Sequence, residues 1–95
     1  MVVTQVVPRD VFQAVNTSGS SAQSSAFAAT TKKIAVVATQ DTYIALGTNP
    51  TATSSSFYLP AKVLVNFGVE PGEKLAALQV SSGGVVSIAE GRQLP

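Results

Sequence analysis

The amino-acid sequence contains no cysteine, no histidine and no tryptophan. Without cysteine, the chain can form no disulfide framework and offers neither a thiol nucleophile nor a cysteine-ligated zinc site. Without histidine, it lacks the imidazole base of the common catalytic triads and the most frequent metal ligand. These absences predict that the protein is not an enzyme and that it uses no cofactor and no metal ion.

Charged side chains are also scarce, at 12% of the 95 residues, about half of the usual share of roughly 25%. The net charge is only +1, and the basic residues are scattered apart from the pair Lys32-Lys33. Because a nucleic-acid-binding protein normally presents a clustered basic face, no nucleic-acid partner is predicted. The longest apolar run, residues 34–38, is far shorter than the roughly 18 residues of a membrane helix. The first residues do not resemble a secretory signal, so we expect synthesis in the cytoplasm and no membrane partner.

Composition divides the chain near residue 25. Residues 16–25 read NTSGSSAQSS, which is the composition of a flexible linker. The residues before it contain two valine-rich segments, 2–7 and 11–15, that favour extended strands. We therefore predict an extended N-terminal arm with a Ser-rich linker over residues 1–25 and a folded body over residues 26–95.

The body shows strand patterns separated by turn signals. Strands are predicted at residues 33–39, 42–46, 56–59, 62–69, 74–80 and 85–90. Pro71-Gly72 has the residues of a type II turn, and Gly83-Gly84 predicts a hairpin in which glycine supplies positive φ angles. This spacing indicates an all-β protein, a small antiparallel β-sandwich that is either jelly-roll-like or barrel-like.

A body of this size buries a modest core and is marginally stable unless something adds stability. Disulfides are excluded, and the strand at residues 34–38 is apolar on both faces. Long stretches of the chain also carry no charge, whereas a soluble monomer normally has a surface about a quarter to a third charged. These features predict a homo-oligomer with much of its surface covered by other chains. The alternative is a monomer kept soluble by its many serine and threonine hydroxyls.

The carboxylates show no pattern of a catalytic pair. Glu70 and Glu73 flank the Pro-Gly turn and are interpreted as solvated, and Asp41 is interpreted as a turn residue. The densest aromatic cluster is Phe57-Tyr58-Leu59-Pro60. Together with the loop at residues 47–56, it is a candidate for stacking on a carbohydrate or binding a partner, although such residues also pack in cores and rims.

Several segments resemble a group of short proteins encoded among the structural genes of tailed bacteriophages. They are residues 37–53 (VATQDTYIALGTNPTAT), 58–61 (YLPA), 69–79 (VEPGEKLAALQ) and the following Ser-Gly-Gly. The resemblance covers about the C-terminal two thirds of the chain, and residues 1–30 lie outside it.

This resemblance implies a virion structural protein on the capsid surface, similar to capsid decoration or cement proteins, which commonly form trimers on the head lattice. The implied partner is the major capsid protein, and the arm is suited to adding a strand to a neighbour's sheet. Alternatives are a tail, neck or fibre component and a small carbohydrate- or ligand-binding β module. The predicted partner contacts are Val2, Val3, Val6, Val7, Val11, Phe12 and Val15 in the arm, and Phe57, Tyr58, Leu59 and Pro60 in the body.

Overall fold

The computed structural model describes residues 6–93, with side chains from residue 12 to residue 91. In this range the protein contains strands and no helix. The eight strands are β1 (Val6–Asn16), β2 (Ala22–Gln23), β3 (Lys33–Ala38), β4 (Thr42–Gly47), β5 (Phe57–Leu59), β6 (Val65–Gly68), β7 (Lys74–Gln79) and β8 (Val85–Gln93).

The strands form two antiparallel four-stranded sheets that pack on one another. Sheet A has the order β1-β8-β3-β6, and sheet B has the order β2-β7-β4-β5. β1 pairs with β8, β2 with β7, β3 with β6 and β4 with β5, which is the pattern of one long hairpin rolled into two layers. This is the jelly-roll arrangement. The predicted all-β antiparallel sandwich is confirmed, and of its two predicted forms the topology is the jelly roll.

The core lies between the sheets and follows the period-2 pattern of the strands. In β3, Ile34, Val36 and Ala38 point inward and are buried. In β8, Val86 and Ile88 are buried as the alternation predicts. The residues that complete the main cluster are Val15, Phe27, Ile44, Leu59, Val69, Leu75 and Ala77.

Strand β6 is shorter than its period-2 pattern predicts. It begins at Val65 instead of residue 62, because Lys62 adopts a left-handed backbone conformation with φ of 64°. The Lys62 N–H donates to the Ala38 carbonyl (2.7 Å), which fixes this turn against the end of β3. Val63 and Leu64 therefore precede the strand, and both side chains are exposed.

The two glycine turns of the body differ. Gly72 has φ of 84°, and the Glu73 N–H donates to the Glu70 carbonyl at 3.2 Å, so the type II turn is confirmed. The predicted Gly83-Gly84 hairpin is wrong, because β7 and β8 lie in different sheets and neither glycine has a positive φ. Close packing requires glycine there instead: a Cβ on Gly83 would lie 2.7 Å from the Thr17 carbonyl oxygen.

Strand pairing does not follow the predicted division of the chain at residue 25. Residues 6–16 form the edge strand of sheet A, and residues 22–23 form the edge strand of sheet B. Between them, the Thr17 N–H and hydroxyl both donate to the Gly84 carbonyl, and the Ser18 carbonyl accepts from the Gln79 N–H. The serine-rich segment is thus a crossing between the sheets, held by backbone hydrogen bonds that composition does not reveal. Residues 1–5, which include the predicted contacts Val2 and Val3, lie outside the described residues.

Candidate functional site

The outer face of sheet A carries an apolar groove. Cross-strand partners share a face of a sheet, and here one row is Phe12, Ala89 and Ala35, while the next is Ala14, Ser87 and Val37. Small side chains thus line the middle of the sheet, with Phe12 at one rim and Leu64 at the other. The groove has a volume of about 430 Å³, and its lining includes no charged residue.

Two large apolar side chains on this surface face solvent. Phe12 is 66% exposed and Leu64 is 63% exposed. Gln13 pairs with Ile88, and both side chains lie on the inner face of sheet A. Because successive side chains of a strand point to opposite faces, the preceding residue, Phe12, points outward. The groove, Phe12 and Leu64 are called the sheet A face below.

The outer face of sheet B is partly covered by the loop at residues 48–56. The side-chain amide of Gln23 donates to Asn49 Oδ1 (2.9 Å) and to the Pro50 carbonyl (2.8 Å). The Ala52 N–H donates to the Ser21 hydroxyl (2.9 Å). Ala76, the cross-strand partner of Gln23, lies on the outer face of β7 and is nevertheless 0% exposed. The chain therefore covers this part of sheet B with its own loop.

Beside the loop, sheet B presents two tyrosines and a carboxylate, called the tyrosine platform below. Tyr58 and Tyr43 are cross-strand partners, with ring centroids 6.0 Å apart and the rings edge to face at 65°. Asp41 precedes Tyr43 by two residues, and its Oδ1 accepts from the Ala61 N–H at 2.8 Å. Hydrogen bonds from the Tyr58 hydroxyl and from the Ala61 N–H hold the pKa of Asp41 below its ordinary value. The bond to Asp41 also raises the pKa of Tyr58.

The predicted contact cluster at residues 57–60 does not form one patch, because its side chains alternate between faces. Tyr58 points outward, whereas Leu59 is buried in the core. Phe57 lies at the edge of the sandwich, where its ring packs against Phe67 with centroids 5.5 Å apart at 90°. Pro60 is exposed.

The predicted contacts in residues 6–15 are also divided. Phe12 lies on the sheet A face, whereas Val15 is buried in the core. Val6, Val7 and Val11 lie in β1, but their side chains are outside the described set.

Glu90 is a buried carboxylate that the sequence analysis did not single out. It is 2% exposed and accepts hydrogen bonds from the Ala28 N–H (2.9 Å), the Thr31 hydroxyl (2.7 Å) and the Gln13 amide (3.1 Å). Burial acts to raise the pKa of Glu90, but the three hydrogen bonds outweigh burial and lower it. Glu90 therefore holds the segment that leads into β3 against the inner side of sheet A.

One signal in the sequence could have found this role. Val86 and Ile88 are inward residues of β8, and the period of two that places them inside also places Glu90 inside. A carboxylate at such a position requires hydrogen-bond donors around it.

Within residues 6–93, no group of three or more acidic, cysteine or histidine side chains could hold a metal ion. None of the described residues forms a helix long and apolar enough to cross a membrane. Comparisons with protein-family models, with curated proteins and with solved structures find no match to this chain. Functional inference therefore depends on the sheet A face, the tyrosine platform and the jelly-roll topology.

Proposed function

We propose that this protein is a non-enzymatic structural protein of a tailed-bacteriophage virion. In this proposal it is a capsid decoration protein that binds the major capsid protein across subunit seams on the outside of the head. It acts as a homo-oligomer, with a trimer expected from the family resemblance. The jelly roll supports the proposal only as an analogy: the fold occurs in viral capsid proteins, but also in lectins and cupins.

The observation that carries the proposal is the sheet A face. Soluble monomers rarely expose large contiguous apolar patches, yet here Phe12 and Leu64 rise on either side of a groove with no charged lining. The cores of protein interfaces have this composition, with few charges and with aromatic anchors. An aromatic ring on a strand is also rigid, so little side-chain entropy is lost when it is buried.

Such a surface would stabilise a capsid by mass action. A protein that binds the assembled lattice and not the free subunits lowers the free energy of the lattice alone. At a free concentration of about one hundred times Kd, the gain is about 2.7 kcal/mol per site. No chemical step is involved, because the whole effect arises from binding energy across the seam.

Capsids assembled without this protein provide the direct test. Purified protein is added, and cosedimentation and the temperature of capsid rupture are measured. We expect saturable binding and a higher rupture temperature. Phe12→Asp or Leu64→Asp should weaken binding at least about thirtyfold, as expected for a central interface residue. Tyr58→Ala, an exposed aromatic residue on the other sheet, is the matched control and should bind like the wild type.

Two outcomes would contradict this proposal. One is failure of the wild type to bind any capsid offered, and the other is binding of both Asp variants as tightly as the wild type. Copy number in purified particles separates the proposal from a tail, neck or fibre component, because a lattice protein is present in hundreds of copies and a tail part in far fewer. Analytical ultracentrifugation of the isolated protein tests the expected trimer.

A further inference from the structure

The tyrosine platform is a second open surface, on the sheet opposite to the sheet A face. Tyr58 is 46% exposed, and Leu78 lies in the same cross-strand row on the far side of Tyr43. The row therefore presents aromatic and aliphatic carbon to solvent. The Asp41 carboxylate and the Tyr58 hydroxyl add polar atoms at one end. Small-molecule sites combine these two elements, an apolar lining and a few fixed polar groups.

We propose that the tyrosine platform binds neutral sugar residues of an oligosaccharide or polysaccharide. This binding activity goes beyond the proposed capsid function and does not depend on it. A pyranose ring has a face of C–H groups that packs on an aromatic ring, and its hydroxyls project from the edge. The exposed Tyr58 ring supplies the packing surface, and Asp41 accepts hydrogen bonds from hydroxyls at the edge of the sugar.

The charge at the platform selects the kind of sugar. Asp41 already accepts the Ala61 N–H and the Tyr58 hydroxyl, which leaves about two of the four lone-pair sites of an ionised carboxylate for sugar hydroxyls. The carboxyl is ionised at neutral pH, and the hydrogen bonds that lower the pKa of Asp41 further stabilise its charged form. An acidic sugar would place a second negative charge beside it, whereas a neutral sugar offers only hydroxyl donors. The site should therefore prefer neutral saccharides.

The loop at residues 48–56 borders the platform with further polar groups. Ala45 and Ala76 form the next row along the strands, about 7 Å from the row of tyrosines. Ala76 pairs with Gln23, whose side-chain amide binds the loop. The loop is held in place by Gln23 and Ser21. Its exposed polar residues are Thr48, Asn49, Thr51, Thr53, Ser54 and Ser55. These hydroxyl and amide groups can extend the contact along an oligosaccharide.

A saccharide fits this surface better than a protein does. A dry protein interface would remove the Asp41 carboxylate from water, which is unfavourable unless the partner supplies a cation. A sugar leaves the platform hydrated and satisfies the carboxylate with its own hydroxyls. The two most exposed large apolar side chains among the described residues lie elsewhere, at Phe12 and Leu64.

The test measures binding of the full-length protein to neutral oligosaccharides by calorimetry and on an immobilised panel. The probes are cello-, malto- and chito-oligosaccharides, with polygalacturonic acid as the acidic comparison. We expect at least one neutral series to bind. Tyr58→Ala should weaken that binding about tenfold. Tyr58→Phe keeps the ring and should lose only about threefold, which is the net value of one hydrogen bond.

Two further variants test the role of the Asp41 charge and the location of the sugar site on sheet B. Asp41→Asn should weaken binding of the neutral series and allow polygalacturonic acid to bind as well as neutral sugars do. Phe12→Ala, on the opposite sheet, should leave saccharide affinity unchanged. Melting curves of every variant establish that the fold is intact.

The proposal is overturned if no neutral series binds, or if folded Tyr58→Ala binds like the wild type. Preferential binding of polygalacturonic acid to the wild type would also overturn it, as would capture of a protein partner that Tyr58→Ala abolishes. The saccharide outcomes leave the capsid proposal intact, because its test uses residues of the sheet A face. Capture of a protein partner would affect it only if that partner were the capsid protein, since Tyr58→Ala is the control that should bind capsids like the wild type.

Discussion

The outer faces of the two sheets differ although the sheets have the same number of strands and the same antiparallel pairing. Sheet B is covered in part by the loop at residues 48–56, and its open part carries tyrosines and a carboxylate. Sheet A has an apolar groove whose lining includes no charged residue. The comparison shows that strand pairing does not determine what an outer face presents. Outward residues and connecting loops determine it.

The topology explains why only one face is covered. β4 and β5 are neighbours in sheet B, and the long connection between them can fold back across the sheet they belong to. The strands of sheet A are joined by connections that cross to sheet B, such as residues 39–41 and 80–84. We infer that the apolar outer residues of sheet A are suited to a cover supplied by another molecule.

The largest expected change in the free energy of unfolding comes from substituting one of two adjacent valines of β3. Their side chains point to opposite faces of the sheet. Val36 is 0% exposed in the core, whereas Val37 lines the groove of the sheet A face. Val36→Asp buries an unpaired charge and should cost about 5 kcal/mol, which equals the whole free energy of unfolding of a marginally stable small domain. Val37→Asp should change the free energy of unfolding by less than about 1 kcal/mol and should abolish binding to capsids. Urea denaturation and cosedimentation measure the two effects.

The pair tests whether the sheet A face is a surface or a second core. If Val37→Asp also unfolds the isolated chain, then sheet A is covered within a single copy or an obligate oligomer, and the contrast between the faces is lost. Val37→Thr, which adds a hydroxyl without a charge, keeps this distinction measurable if the Asp variant is insoluble.

The second effect concerns the inner side of sheet A, where Glu90 holds the segment that contains Ala28 and Thr31. Glu90→Gln places an amide N–H against these donors and should cost about 1–3 kcal/mol. Because folding lowers the pKa of Glu90, its contribution is fully present above the ordinary glutamate value of 4.5 and is lost as pH falls below it. Urea denaturation of the wild type between pH 7 and pH 3 should show this loss.

Glu90→Gln and a surface control, Glu70→Gln, distinguish the contribution of Glu90 from the destabilisation that low pH causes through other carboxylates. Glu90→Gln should be less stable at pH 7 and lose less stability on acidification than the wild type. Glu70→Gln, an exposed carboxylate in the type II turn, should stay within about 0.5 kcal/mol at pH 7. Equal acid sensitivity in the wild type and Glu90→Gln would show that Glu90 is not the group responsible. Neither variant should alter binding at the sheet A face or the tyrosine platform.

Much of the fold could be predicted from local sequence because local chemistry determines it. The alternation in β8 identified Val86 and Ile88 as inward residues, and Pro71-Gly72 identified a type II turn. In β3 both faces are apolar, so the alternation did not determine which of them faces the core. The opposite faces of Phe57 and Tyr58 also follow from the period of two. This alternation argues against a single patch made of these two residues, although they are adjacent in the densest aromatic cluster of the sequence.

The remaining features depend on contacts between distant residues. A valine-rich strand such as β1 carries no sign of which sheet edge it joins, so an arm and an edge strand look alike in sequence. Position 83 requires glycine because the Thr17 carbonyl oxygen would clash with a Cβ there. These two residues are far apart in the chain. The platform likewise requires the register that aligns Tyr43 with Tyr58. Local patterns do not contain that register.

The smallest expected loss of stability is that of Gln23→Ala. This variant tests whether the loop at residues 48–56 causes the difference between the two outer faces. Gln23 is exposed and donates to Asn49 and Pro50, so Gln23→Ala should cost about 1 kcal/mol. The loop should then leave Ala76 more often, and the Ala52 amide, which donates to Ser21, should exchange hydrogen several times faster. Asn66→Ala on exposed β6 is the matched control and should change neither measurement. If Ala52 exchange is unchanged in Gln23→Ala, packing of Pro50 and Ala52 holds the loop without these hydrogen bonds. The cover of sheet B would then be hydrophobic in origin, like the binding proposed for sheet A.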